Sequence, residues 1–178
     1  MSEDHPGGRR IDRIREPSYV EGIDAVSLED LRARRDECMA EREYLSLLRR
    51  LVQGRAEILK AELASRGGDD GDDRPLVDRL SEILASDQPA TSRGEAMHVS
   101  LPEDEMLLAR RRIERLVADA GISDPTELDD ARLQDAVEVL VAEEHEVSTQ
   151  RTDVLRVLDA LQDELKRRYK EDPSLALS

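Results

Sequence analysis

Two stretches of this chain set a serine, an arginine and a carboxylate at the same spacing. In LSLLRRLVQGRAEIL (45–59), Ser46, Arg49, Gln53 and Glu57 stand at i, i+3, i+7 and i+11. In VSTQRTDVLRVLDAL (147–161), Ser148, Arg151, Leu155 and Asp159 repeat that order, each 102 residues further on. On a helix turning about 100° per residue, the four positions fall within an arc of about 80°, a single face. The chemistry of that face suits a guanine nucleotide. Arginine's planar fork binds phosphate bidentately and reads the O6/N7 edge of guanine, and it also stacks on a base. A carboxylate accepts from guanine N1–H and the exocyclic amine, and a serine hydroxyl donates to phosphate oxygen. Two equivalent faces on antiparallel helices would be related by an approximate two-fold axis, which matches an anion that has its own two-fold symmetry.

The elements that carry these faces are long. From Leu28 to about Arg66 there is no proline, and Gly54 is the one glycine. Ser27 can cap the start, with Glu29 and Asp30 facing the positive helix end, and Gly67 and Gly68 stop the helix, which spans about 58 Å. A second long helix is expected over 129–170, ending near Pro173. Its positions spaced by four and three are Leu133, Val137, Leu140, Glu144, Val147, Arg151, Val154, Leu158, Leu161 and Leu165, a heptad seam. The same phase in the first helix selects Leu31, Arg35, Cys38, Arg42, Leu45, Arg49, Val52, Ala56, Leu59 and Leu63. Arg49 and Arg151 thus interrupt matching seams. Without a ligand, their charges are expected to repel and to loosen the middle of the pair. A second reading stays open: charged seam residues can merely set register in a structural coiled coil, with Glu144 neutralising one arginine.

The twin motifs resemble those of the RsiG family, anti-sigma factors formerly called AmfC or aerial mycelium formation proteins. The family pattern, E-x3-S-x2-R-x3-Q-x3-D, occurs once on each helix of an antiparallel coiled coil. The second copy here offers Glu144, Ser148, Arg151 and Asp159, with Leu155 in place of Gln. The first offers Ser46, Arg49, Gln53 and Glu57, with Arg42 in place of the leading Glu. The resemblance implies that these residues bind cyclic di-GMP as a regulatory ligand. It also implies that the loaded protein holds a WhiG-type sporulation sigma factor and represses its transcription programme.

The rest of the chain supports an all-α fold without an enzyme's machinery. Charged residues make up 39% of the 178, Phe and Trp are absent, and aliphatic residues with Ala supply nearly all the apolar content. That composition favours solvated helices packed along narrow stripes. Residues 1–26 are expected to be a disordered tail, followed by one helical domain over 27–172. Short connector helices are expected at 75–86 and 103–120, the latter ended by Gly121. The acidic run GGDDGDDRP lacks the alternating ligands and closing Glu of an EF-hand, and no His/Cys spacing suits zinc, so no metal is expected. The net charge of −15 disfavours direct DNA or anionic-membrane binding and favours a basic protein partner. A single cysteine, Cys38, and the lack of a signal peptide or spanning run point to the cytoplasm. No nucleophile elbow, Walker loop or dinucleotide fingerprint occurs, so neither catalysis nor a catalytic cofactor is expected.

Overall fold

The computed structural model describes residues 9–67, 101–119, 121–122 and 124–176. They form helix α1 (Arg10–Ile14), a 3-10 turn (Pro17–Tyr19), and the long α2 (Leu28–Arg66). Next come α3 (Glu103–Asp119), a 3-10 turn (Pro125–Glu127), the long α4 (Asp130–Glu171) and a last 3-10 turn (Pro173–Ala176). No strand occurs among the described residues. The long helices pack against one another as expected, and their boundaries fall within a residue of those expected from the sequence. Ser27 Oγ accepts from Asp30 N at 3.0 Å and donates to the Asp30 carboxylate at 2.7 Å. Asp129 Oδ1 likewise accepts from Arg132 N at 2.8 Å, satisfying an amide that the first turn of α4 leaves without a helical partner. The expected helix at 75–86 lies outside the described residues.

The chain divides into two compact units. The first is Met1–Ser46 with Val147–Ser178. Its core is Leu31, Cys38 and Leu45 of α2 with Val147, Val154, Leu158, Leu161 and Leu165 of α4, all seam positions and all at most 3% exposed. The strands of contact run in opposite senses: Arg32 Nε donates to Tyr169 Oη at 3.1 Å, while Ser46, further along α2, meets Arg151, further back in α4. The helices are therefore antiparallel here.

Residues 9–26, expected to belong to a disordered tail, are instead folded onto this unit. Ile11 is 3% exposed and Ile14 0%. Long-range ion pairs fix the segment. Arg10 Nε reaches Glu41 Oε2 at 2.5 Å, Arg13 pairs with Glu37, and Arg15 Nε lies 3.1 Å from Asp153 Oδ2. At the other end Arg168 donates to the carbonyls of Val26 and Ile23, both at 2.7 Å. The physical reason for the difference is that two isoleucines and a few charges gain their partners only from helices distant in sequence, which no local period reveals.

The second unit is Leu47–Glu146. Leu48, Val52, Ala56, Leu59 and Ala61 of α2 are buried, as are Leu133, Ala136, Val137 and Leu140 of α4 and Ala109 and Ile113 of α3. Arg49 meets Glu144 and Arg66 meets Asp130, so the two long helices are antiparallel in this unit also. Arg66 Nη1 and Nη2 donate to the carbonyls of Leu128 (2.5 Å) and Pro125 (3.0 Å), closing the end of α2 over the loop that leads into α4. The connector helix α3 is held by Arg112 on Glu143 at 2.7 Å. It ends at Gly121, whose φ of 69° takes the left-handed conformation that glycine adopts without steric cost. Ile122 N then bonds Val117 O at 2.9 Å, and the Ile122 side chain is buried, the hydrophobic closure expected of such an end.

Candidate functional site

In the first unit, the seam position 151 brings an arginine to the partner helix's serine. Arg151 Nε donates to Ser46 Oγ at 3.0 Å, and Ser46 Oγ donates to the Arg42 carbonyl one turn back at 2.7 Å. Ser46 is thereby oriented by two bonds, with its own backbone turn as the anchor. Arg151 and Ser148 are half-buried, and Asp159 is exposed. The Arg42 guanidinium turns along its own helix to Glu43, with Nη2 at 2.8 Å. Arg42 and Arg151 therefore give this unit two guanidinium groups, alongside the hydroxyl of Ser46.

In the second unit, Arg49 Nε donates to Glu144 Oε1 at 2.7 Å. Their side chains are 41% and 26% exposed, so this is a half-solvated ion pair at a seam position and not a desolvated charge. Gln53 and Glu57 are half-buried. The Glu57 carboxylate accepts from Lys60 Nζ at 2.7 Å on the same helix. The ligand-free repulsion expected of the seam arginines is accordingly corrected for Arg49: Glu144 offsets its charge.

Motif residues thus meet across the helices in each unit, Arg151 with Ser46 in the first and Arg49 with Glu144 in the second. A separate cleft of about 140 Å3 in the second unit is lined by Arg55, Ile58, Leu59, Val117, Ile122, Pro125 and Leu140. It holds none of the motif residues and is smaller than the roughly 300 Å3 at which small-molecule pockets usually begin.

Several polar residues with structural weight escaped the sequence reading. Glu164 is 8% exposed and accepts from Arg167 Nη2 and Arg168 Nε, each at 2.7 Å. Those bonds hold its carboxyl down to about 2. The E-x2-R-R spacing was the available signal, since i, i+3 and i+4 share a helix face. Glu41 is 3% exposed and pairs with Arg10, 31 residues earlier in the chain, a contact that no local period reveals. Tyr19 Oη donates to Glu37 at 2.7 Å, and its phenol is pushed up by burial and by that carboxylate. Burial likewise pushes the Cys38 thiol up to about 11.

Among the described residues no group of three or more His, Cys, Asp or Glu side chains is placed to hold a metal ion. Nor is any described helix long and apolar enough to cross a membrane.

The RsiG-like family model matches residues 17–84. The matched span takes in α2 and with it the first motif copy, Arg42, Ser46, Arg49, Gln53 and Glu57, in agreement with the resemblance those residues carry. The second copy, on α4, lies beyond it. No curated protein matches the chain. The RsiG-like match suggests a function of the anti-sigma-factor type, with a sigma factor as partner.

Proposed function

We propose that this protein is a cyclic di-GMP-dependent anti-sigma factor that sequesters a WhiG-type sporulation sigma factor in the cytoplasm and so represses its transcription programme. The observation that carries this reading is the twinned motif. Each copy places an arginine at the corresponding seam position, beside the other charged seam residues Arg35 and Arg42 on α2 and Glu144 on α4, and each of these two arginines has a polar partner on the facing helix, Ser46 for Arg151 and Glu144 for Arg49. A purely structural seam at these positions would gain more from Leu, whose burial contributes about 1.5–3 kcal/mol. Retaining arginine twice fits a ligand that makes use of both.

In this proposal Arg49 and Arg151 contact guanine or phosphate, Glu57 and Asp159 hold guanine edges, and Ser46 and Ser148 donate to phosphate oxygen. Gln53, Glu144 and Arg42 complete the two sets. The contacts of the ligand-free chain then have a second role. Glu144 and Ser46 keep the arginines ordered, and Lys60 and Glu43 occupy the free ends of Glu57 and Arg42. Ligand binding exchanges these partners, and the bound state is favoured in proportion to occupancy. The test is capture of a purified WhiG-type sigma factor by the immobilised protein, with and without cyclic di-GMP. Retention only with the nucleotide is the expected result. Equal retention in both conditions, or none in either, would count against it.

One observation favours a second reading. The Arg49–Glu144 pair compensates a seam charge within the protein itself, as a register-setting pair in an adaptor coiled coil would. That reading predicts no nucleotide binding at all.

A further inference from the structure

We propose that the face of the first unit beneath residues 9–26 is an exchangeable docking surface for a basic amphipathic helix, with residues 9–26 as its resident occupant. Resting on the function proposed above, the helix that takes its place belongs to the sigma factor.

The resident segment shows what the surface accepts. Ile11 and Ile14, one helical turn apart, enter it almost completely. Around them stand three arginines, each on a separate carboxylate: Arg10 on Glu41, Arg13 on Glu37 and Arg15 on Asp153. Two carboxylates come from α2 and one from α4, so the acidic rim is built from both long helices. The surface is thus an apolar slot with an acidic border, complementary to any helix with two adjacent apolar positions and flanking Arg or Lys.

The anchoring of residues 9–26 is suited to exchange. The helical part is a single short turn, Arg10–Ile14, which has little stability of its own. The chain leaves it through Tyr19, whose carbonyl accepts from Arg34 Nη1 at 2.7 Å, and reverses near Gly22, which holds a φ of 66°. The far end is tied by Arg168 to backbone carbonyls at Ile23, Asp24 and Val26. A segment held by two apolar side chains, one largely buried ion pair at Glu41 and two more exposed ones at Glu37 and Asp153 can open locally while the helix pair remains folded. Salt weakens the charged part of that hold and of any replacement alike.

The experiment uses the full chain and a labelled peptide with the sequence of residues 9–26. In Ile11→Asp/Ile14→Asp the resident segment is released, and circular dichroism establishes that α2 and α4 remain helical. The released chain is expected to bind the peptide at least tenfold more tightly than the parent does. Adding Glu37→Lys/Glu41→Lys to the released chain should abolish that binding, and the sigma factor should displace the peptide. Equal, weak peptide binding by released and parent chains overturns the proposal, as does a sigma factor that binds the protein without displacing the peptide. Hydrogen exchange on the parent decides the matter even where the released chain does not fold. Amides at 11–20 should exchange well before those at 147–165, and exchange of both only in global unfolding overturns it. A sigma factor that fails to bind the parent at any nucleotide concentration counts against the proposed function, while the peptide result stands apart from that failure.

Discussion

Arg49 Nε donates to Glu144 Oε1 at 2.7 Å, joining the seam arginine of one long helix to the leading glutamate of the motif on the other. Arg151 has a different partner, the neutral hydroxyl of Ser46 at 3.0 Å. The two motif copies are alike in sequence and unlike in how their arginines are held, and the consequences can be measured.

In the ligand-free protein Arg151→Leu should raise the melting temperature, corresponding to about 1 kcal/mol. The substitution gives up one hydrogen bond to a hydroxyl and extends the apolar stripe of Val147 and Val154. Arg49→Leu should leave the melting temperature nearly unchanged. Its gain in apolar contact is offset by loss of a half-exposed ion pair, worth about 0–1 kcal/mol. Thermal unfolding followed by circular dichroism makes the comparison. Equal rises in the two variants would mean that Glu144 contributes nothing at Arg49.

Acid should weaken the first unit through Glu164. Its folded carboxyl sits near 2, below the usual carboxylate value, so the folded state binds the proton less readily than the unfolded chain. The stabilisation is complete above pH about 4.5 and is lost as pH falls towards 2. Glu164→Gln should flatten that part of the stability–pH curve and cost about 2 kcal/mol at neutral pH, since Arg167 and Arg168 then share only a neutral amide oxygen in place of the carboxylate. Urea unfolding of both proteins at several pH values between 2 and 7 gives the two curves.

Much of the fold was legible in the sequence because it follows a local rule. Every apolar seam position of α4 is buried, and on α2 only Leu63 falls short of full burial. The Ser27 cap and the Gly121 stop act on amides and carbonyls within a few residues, one through a side-chain hydroxyl and the other through a left-handed backbone. Other features depend on partners distant along the chain. Arg10 and Glu41 are 31 residues apart, and Arg168 reaches Val26 across 142. A seven-residue period carries no information about such pairs, so residues 9–26 read as tail. The site divides in the same way. The seam positions of Arg49 and Arg151 were legible from spacing, whereas the contrast between a serine and a glutamate as their partners required the packed helices.

Cys38 should resist alkylation. It is the single cysteine, it is fully buried, and its thiol is pushed up to about 11 by burial. At pH 8 only a small fraction is thiolate, and reagent has access only through opening. Iodoacetamide labelling followed by mass spectrometry should run at least about a hundredfold slower in buffer than in urea, that factor being a 2.7 kcal/mol opening cost or more. Comparable rates would place Cys38 outside the core.

Association with the sigma factor should slow as salt rises. The chain carries 42 acidic residues against 27 basic, and acidic surfaces steer basic partners over a range that shortens with ionic strength. Stopped-flow association at 50 and 300 mM salt should show a marked fall in the on-rate. An unchanged on-rate would leave apolar contacts as the source of recognition.

The most direct test is calorimetric titration of cyclic di-GMP into the parent protein, Arg49→Leu and Arg151→Leu. The parent should bind saturably, and each variant should bind at least tenfold more weakly, a loss of about 1.4 kcal/mol or more. No binding by the parent, or parent-like binding by both variants, would contradict the assignment of the twin arginines to the nucleotide and leave the register-setting coiled coil.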